Sequence, residues 1–204
     1  MSIIPIINPT QSYTFADYFK LNSEPEDILS YFGYGYESRS LSLPQTHRQL
    51  EGLDNLKQRL QEILPYVSLT SEMARREFLI APVLMELIHY TQVKIKVGYS
   101  LKINEQLKGE LDYFLQTKTQ FLVIEAKNAN LQRSFTQLAV ELIAVEKAEF
   151  ANYSMLYGAV SMGNIWQFAV LDTQQKRVIQ DTNVYRVPAD LTELLQIMVG
   201  ILES

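Results

Sequence analysis

The chain has 204 residues, enough to bury one sizeable core. It has no cysteine, which excludes disulfides and thiolate metal sites, and with only His47 and His89 available a zinc site is disfavoured. A formal charge of −5 argues against strong general affinity for nucleic acid, and a hard cation held by carboxylates is the metal chemistry left open.

The first nine residues are apolar but short and broken by Pro5 and Pro9, unlike a signal peptide. No apolar run approaches the ~20 residues of a membrane helix, so the expected location is the cytoplasm, with no membrane partner. A short helix is expected over about Pro25 to Phe32, capped by Ser23, with Glu24, Glu26 and Asp27 complementing its dipole. Gly33-Tyr34-Gly35-Tyr36 follows. From Thr46 to Leu64 leucines recur at three- and four-residue steps until Pro65. These segments make residues 1–70 an N-terminal helical extension packed on a core of residues 71–204, together one compact domain.

The core begins with a helix from about Ser71 to His89, capped by Thr70 or Ser71. Residues 93–103 alternate strictly, with Val93, Ile95, Val97, Tyr99, Leu101 and Ile103 on the buried face. A second strand covers about Gly109 to Gln116 and a third about Phe121 to Lys127. The third is apolar on both faces, as a central strand requires. A helix over about Ser134 to Ala151, strands at Met155–Ser161, Ile165–Leu171 and Val178–Val187, and a last helix capped by Asp190 complete the chain. The fold class is α/β, with an α-β-β-β-α-β core.

Three carboxylates and one amine stand out. Glu125 and Lys127 lie two apart on a strand and therefore share a face. A hairpin turn centred between Lys118 and Thr119 sets Asp112 directly opposite Glu125, with Cβ atoms ~5 Å apart. Two carboxylates that close repel, and a divalent cation between them removes the conflict. Glu77 sits in a helical stripe formed by Met73, Ile80, Leu84 and Ile88, which directs a third carboxylate to the sheet.

Gly109-Glu110-Leu111-Asp112-Tyr113 followed by Val123-Ile124-Glu125-Ala126-Lys127-Asn128 resembles the PD-(D/E)XK nuclease superfamily. It is especially similar to the nuclease domain of type I restriction enzyme motor subunits. Residues 157–168 resemble the strand-turn-strand that follows the motif helix there, and the likeness spans about Glu72 to Leu171. The resemblance implies a restriction-endonuclease-like fold and a Mg²⁺- or Mn²⁺-dependent endonuclease acting on DNA. It implies that Asp112, Glu125 and Glu77 hold the metal, and that Lys127 orients or helps deprotonate the attacking water. Gln137 matches a glutamine of the motif helix, but Glu141 stands where that motif has an aromatic. Arg75, Arg76, Lys94, Lys96 and Lys102, with Lys108 and Lys118, are the candidate phosphate contacts. The acidic balance and Glu141 favour a second expectation: a catalytically silent member of the fold that serves as a binding or assembly module. A third is a homodimeric regulatory protein that uses the N-terminal helices as its interface.

Overall fold

The computed structural model describes residues 6–117, 120–127, 130–148 and 153–204. It opens with α1 (Phe15–Lys20) and α2 (Pro25–Tyr31), followed by β1 (Gly35–Arg39). Helix α3 (Leu53–Ile63) leads into α4 (Glu72–Arg75), a π turn (Arg76–Ile80) and α5 (Ala81–Thr91). Strands β2 (Lys94–Lys102), β3 (Lys108–Gln116) and β4 (Phe121–Ala126) precede α6 (Leu131–Lys147). Strands β5 (Met155–Ser161), β6 (Ile165–Asp172), β7 (Arg177–Asp181) and β8 (Tyr185–Arg186) lead to α7 (Leu191–Glu203). The fold is α/β, built on a mixed eight-stranded open sheet ordered β1-β7-β6-β5-β4-β3-β2, with β8 paired to β6.

The apolar third strand of the core is central, as its composition requires. β4 pairs antiparallel with β3 and parallel with β5, and α6 makes the crossover between the two parallel strands. Helices cover both faces. Leu122, Ile124 and Ala126 of β4 point into a core shared with α3, α5 and α7. Val123 points into a second core shared with α1, α2 and α6. Every residue from Ser134 to Glu146 is buried, because α6 lies between the sheet and the N-terminal helices. Among the described residues no helix is long and apolar enough to cross a membrane.

Within the expected helical extension, one segment joins the sheet. β1 pairs parallel with β7 at the edge, an assignment obscured by the glycines and tyrosines of residues 33–36. Helix α3 begins only at Leu53, where Gly52 turns the chain at φ +83. Helix α2 has Glu24, not Ser23, at its N-cap, and no side chain caps it. Ser71 does cap α4, accepting the Ala74 N–H at 3.1 Å. Asp190 precedes α7 but gives its carboxylate to the N–H and guanidinium of Arg186 instead. The single strand expected over 178–187 is broken after Asp181, whose carboxylate accepts the N–H groups of Leu41 and Asn183.

Strand β2 is an edge, which explains its weaker pattern. Ile95, Tyr99 and Leu101 are half-buried, but Val97 is 67 % exposed. Beside it Gly98 takes φ +61, and the β2–β3 pairing skips the Gly98–Asp112 position before resuming in the same register.

Candidate functional site

The site forms where β3 and β4 separate. Their ladder pairs Tyr113 with Ile124, Phe114 with Val123 and Leu115 with Leu122, which is the register expected from the sequence. The centre of the turn at Lys118 and Thr119 lies outside the described residues, but the Thr117 N–H donates to the Gln120 carbonyl at 2.8 Å. Beyond Tyr113 and Ile124, β4 continues its pairing with β5 through Glu125 and Ala126. The Asp112 carboxylate bridges the opening: its Oδ2 accepts the Ala126 N–H at 2.9 Å. Lys127 is pinned in turn by its own N–H, which donates to the Ser161 carbonyl at 2.9 Å.

Glu125 and Lys127 meet as their two-residue spacing demands. Lys127 Nζ lies 2.5 Å from Glu125 Oε1. Gln137, on the inward face of α6, donates to the same oxygen at 2.6 Å and to Glu141 Oε1 at 2.9 Å. Glu125 Oε2 and Glu141 Oε2 are both buried with no donor, while the two carboxyl groups interact with each other. A proton held between them resolves this, since a protonated Glu141 can donate to Glu125. Burial, then the nearby charge of Glu125, pushes the Glu141 carboxyl well above the ordinary range. Burial, then the charge of Asp112, pushes Glu125 up to about 7 against the pull of Lys127. Burial opposes the Lys127 ammonium, yet Glu125 outweighs it, so Lys127 is held charged above its usual value. Phe19 of α1 covers this end of the site, its ring centroid 5.6 Å from Lys127 Nζ.

Asp112 has a partner that spacing alone did not assign to it. Arg76 Nη2 lies 2.6 Å from Asp112 Oδ1, and Arg76 also reaches Glu72 at 3.5 Å and the Tyr113 hydroxyl at 3.4 Å. Burial works against this guanidinium, but Tyr113 and Asp112 raise its pKa further.

The expectation for Glu77 is corrected. Glu77 is exposed and lines a surface groove with Leu56, Arg59, Leu60 and Phe78, away from the carboxylate pair. The cause is the π turn. The Ala81 N–H bonds to the Arg76 carbonyl, five residues back, which breaks the 3.6-residue phase linking Glu77 to Ile80 and Leu84. Met73 is accordingly 70 % exposed while Ile80 is 1 % exposed. Glu72 and Arg76 are the residues this helix presents to the site. Their i, i+4 spacing, like that of Gln137 and Glu141, was the available signal. Among the described residues no three carboxylate or imidazole groups gather at metal-binding spacing.

The basic candidates disperse. Arg75 is spent on the Leu69 and Met162 carbonyls, and Lys102 pairs with Glu105. Lys96 lies over Tyr99, 4.4 Å from its ring centroid. Lys94 is exposed on edge strand β2, Lys108 pairs with Glu105, and Lys118 lies outside the described residues. His47 and His89 are exposed. No family model, curated protein or solved structure matches the chain.

Proposed function

We propose that this chain is a restriction-endonuclease-like, Mg²⁺- or Mn²⁺-dependent endonuclease that hydrolyses phosphodiester bonds in DNA, acting in the cytoplasm. One observation carries the reading: Asp112 and Glu125 stand on neighbouring strands where their ladder opens, with Lys127 on Glu125 and Gln137 behind it. The donor set fits a hard cation. It is all oxygen, two carboxylates on neighbouring strands.

Asp112 and Glu125 would hold the cation, which when bound supplies Lewis-acid polarisation of the phosphate and a more acidic water. Gln137 fixes the orientation of Glu125 Oε1 through its amide. Lys127 is kept charged and so acts as a donor rather than a base. Its ammonium holds the attacking water by an N–H bond to oxygen and offsets negative charge gathering on the phosphate. Glu72, not Glu77, is the carboxylate on the first core helix able to support this site.

Digestion of plasmid and oligonucleotide DNA with Mg²⁺ or Mn²⁺ tests the reading, alongside Asp112→Ala and Lys127→Ala. Cleavage by the wild type that both variants lose supports it. No cleavage of any substrate, with no metal binding by calorimetry, sinks it. A second reading, the silent nuclease-fold module, draws on one specific observation: Arg76 and Lys127 already neutralise both carboxylates. The groove between α3 and α5, with Phe78 and Met85 exposed, would give such a module a docking face, a homodimer contact included.

A further inference from the structure

Arg76 is placed at some structural expense. It is the first residue of the π turn, a rare irregularity in a helix whose downstream half packs normally. Its guanidinium meets three different groups. One nitrogen reaches Asp112, a second faces Glu72 at the longer distance of 3.5 Å, and the third bonds Tyr113, whose ring lies 5.2 Å away. Its contacts are thus divided among three groups rather than given to Asp112 alone. The side chain also keeps 28 % of its surface in solvent, so it can leave without unpacking the core.

Both oxygens of Asp112 already have partners. Its Oδ2 is committed to the Ala126 N–H, and Oδ1 is the atom Arg76 occupies. A cation arriving at Oδ1 and the guanidinium therefore exclude each other by volume and by charge. Displaced from Asp112, Arg76 stays beside the site through Glu72 and Tyr113. It becomes a planar donor set without its principal partner, at the place where a phosphodiester must lie to meet the cation. That fork matches phosphate oxygens.

We propose that Arg76 is an internal counter-ion that guards Asp112 until a divalent cation displaces it, and that the freed guanidinium then binds a non-bridging oxygen of the phosphodiester. The proposal rests on the nuclease reading above and adds an exchange of partners to it. It explains how a half-buried carboxylate stays compensated before the cation arrives.

The test is Mn²⁺ titration by calorimetry on the full chain, comparing wild type, Arg76→Met, Arg76→Lys and the double variant Arg76→Met with Asp112→Asn. A parallel measurement follows anisotropy of a fluorescent oligonucleotide in Ca²⁺. Losing a charge-assisted competitor predicts that Arg76→Met binds Mn²⁺ about 10-fold more tightly than wild type and the oligonucleotide about 10-fold more weakly. Arg76→Lys, lacking the fork, falls between in Mn²⁺ affinity and still binds the oligonucleotide weakly. Asp112→Asn in the Arg76→Met background abolishes the gain. Equal Mn²⁺ affinity in wild type and Arg76→Met overturns the exchange while leaving the nuclease reading intact. So does a gain that survives Asp112→Asn, or unchanged oligonucleotide affinity. No Mn²⁺ binding by any form overturns both. Thermal melts establish folding, and if Arg76→Met does not fold, Arg76→Lys decides.

Discussion

Glu125 and Glu141 take hydrogen bonds from the same side-chain nitrogen, Nε2 of Gln137, at 2.6 and 2.9 Å. With one amide between two buried carboxyl groups, charge on both is unfavourable, and the pair retains a proton near neutrality. A carboxyl whose pKa is higher in the fold than in the unfolded chain favours folding below the unfolded value. It opposes folding as pH climbs through the folded one. For Glu125 that window runs from 4.5 to about 7, and Glu141 extends it upward. Asp17 and Glu105, both held down to about 2, titrate well below it. The melting temperature is therefore expected to fall between pH 5 and pH 8. Glu141→Gln should flatten that slope and stabilise the protein by about 1–3 kcal/mol at pH 8. A wild-type profile that is level across this range contradicts the shared proton.

Lys127 poses the converse case. Removing one member of a buried ion pair usually costs about 3–5 kcal/mol, because the other charge is stranded. Glu125 has an escape, since it takes a proton near pH 7. Lys127→Met should thus be tolerated at pH 5.5 and cost several-fold more at pH 8.5. Urea denaturation at the two pH values measures this, and an equal cost at both shows that Glu125 does not change protonation.

Glu72 and Glu77 separate the two possible phases of the first core helix. Glu72→Gln should lower Mn²⁺ affinity, or cleavage, by about 10-fold, as loss of a supporting group around a metal site does. Glu77→Gln should change neither, and should leave stability within about 0.5 kcal/mol. Calorimetry and digestion assays on the two variants give the answer. A larger effect from Glu77 restores the uninterrupted helical stripe.

The N-terminal segment is bolted to α6 by Tyr34. Its hydroxyl donates to Glu146 Oε2 at 2.5 Å, while Lys176 pairs with Oε1 of the same buried carboxylate. Burial, then the bond to Glu146, raises the Tyr34 pKa, so the phenol remains a donor throughout the neutral range. Tyr34→Phe leaves Oε2 without that donor and should cost about 1–3 kcal/mol in urea unfolding, with an unchanged denaturant slope. No loss of stability would mean that water replaces the phenol.

The legible parts of this molecule were those governed by strict periodicity. Strand alternation placed Glu125 and Lys127 together, and the symmetry of a tight hairpin placed Asp112 beside them. Apolar composition identified β4 as central. Departures from period hid the rest. A π turn dephased Glu77 and delivered Arg76. Glu141 looked like a deviation from a motif, yet it is a buried carboxyl that shares the Gln137 amide with Glu125. β1 was hidden because its five residues, Gly35–Arg39, lie on a sheet edge and carry little apolar pattern.

The π turn has a consequence for how this helix tolerates change. Its downstream half must bury Val83, Leu84 and Leu87, while its upstream half must show Glu72 and Arg76 to the strand ends. The extra residue lets one continuous rod serve two directions that a regular winding could not reconcile. Deleting one residue within Arg76–Ile80 would leave both halves facing as they do. Winding Arg76–Ile80 regularly with every residue kept would instead rotate the upstream half by roughly 100°, one residue's step about the axis, and the phase between the halves would be lost. The apolar packing would survive, and the guanidinium would swing off Asp112. The extra residue is thus a gear between scaffold and chemistry.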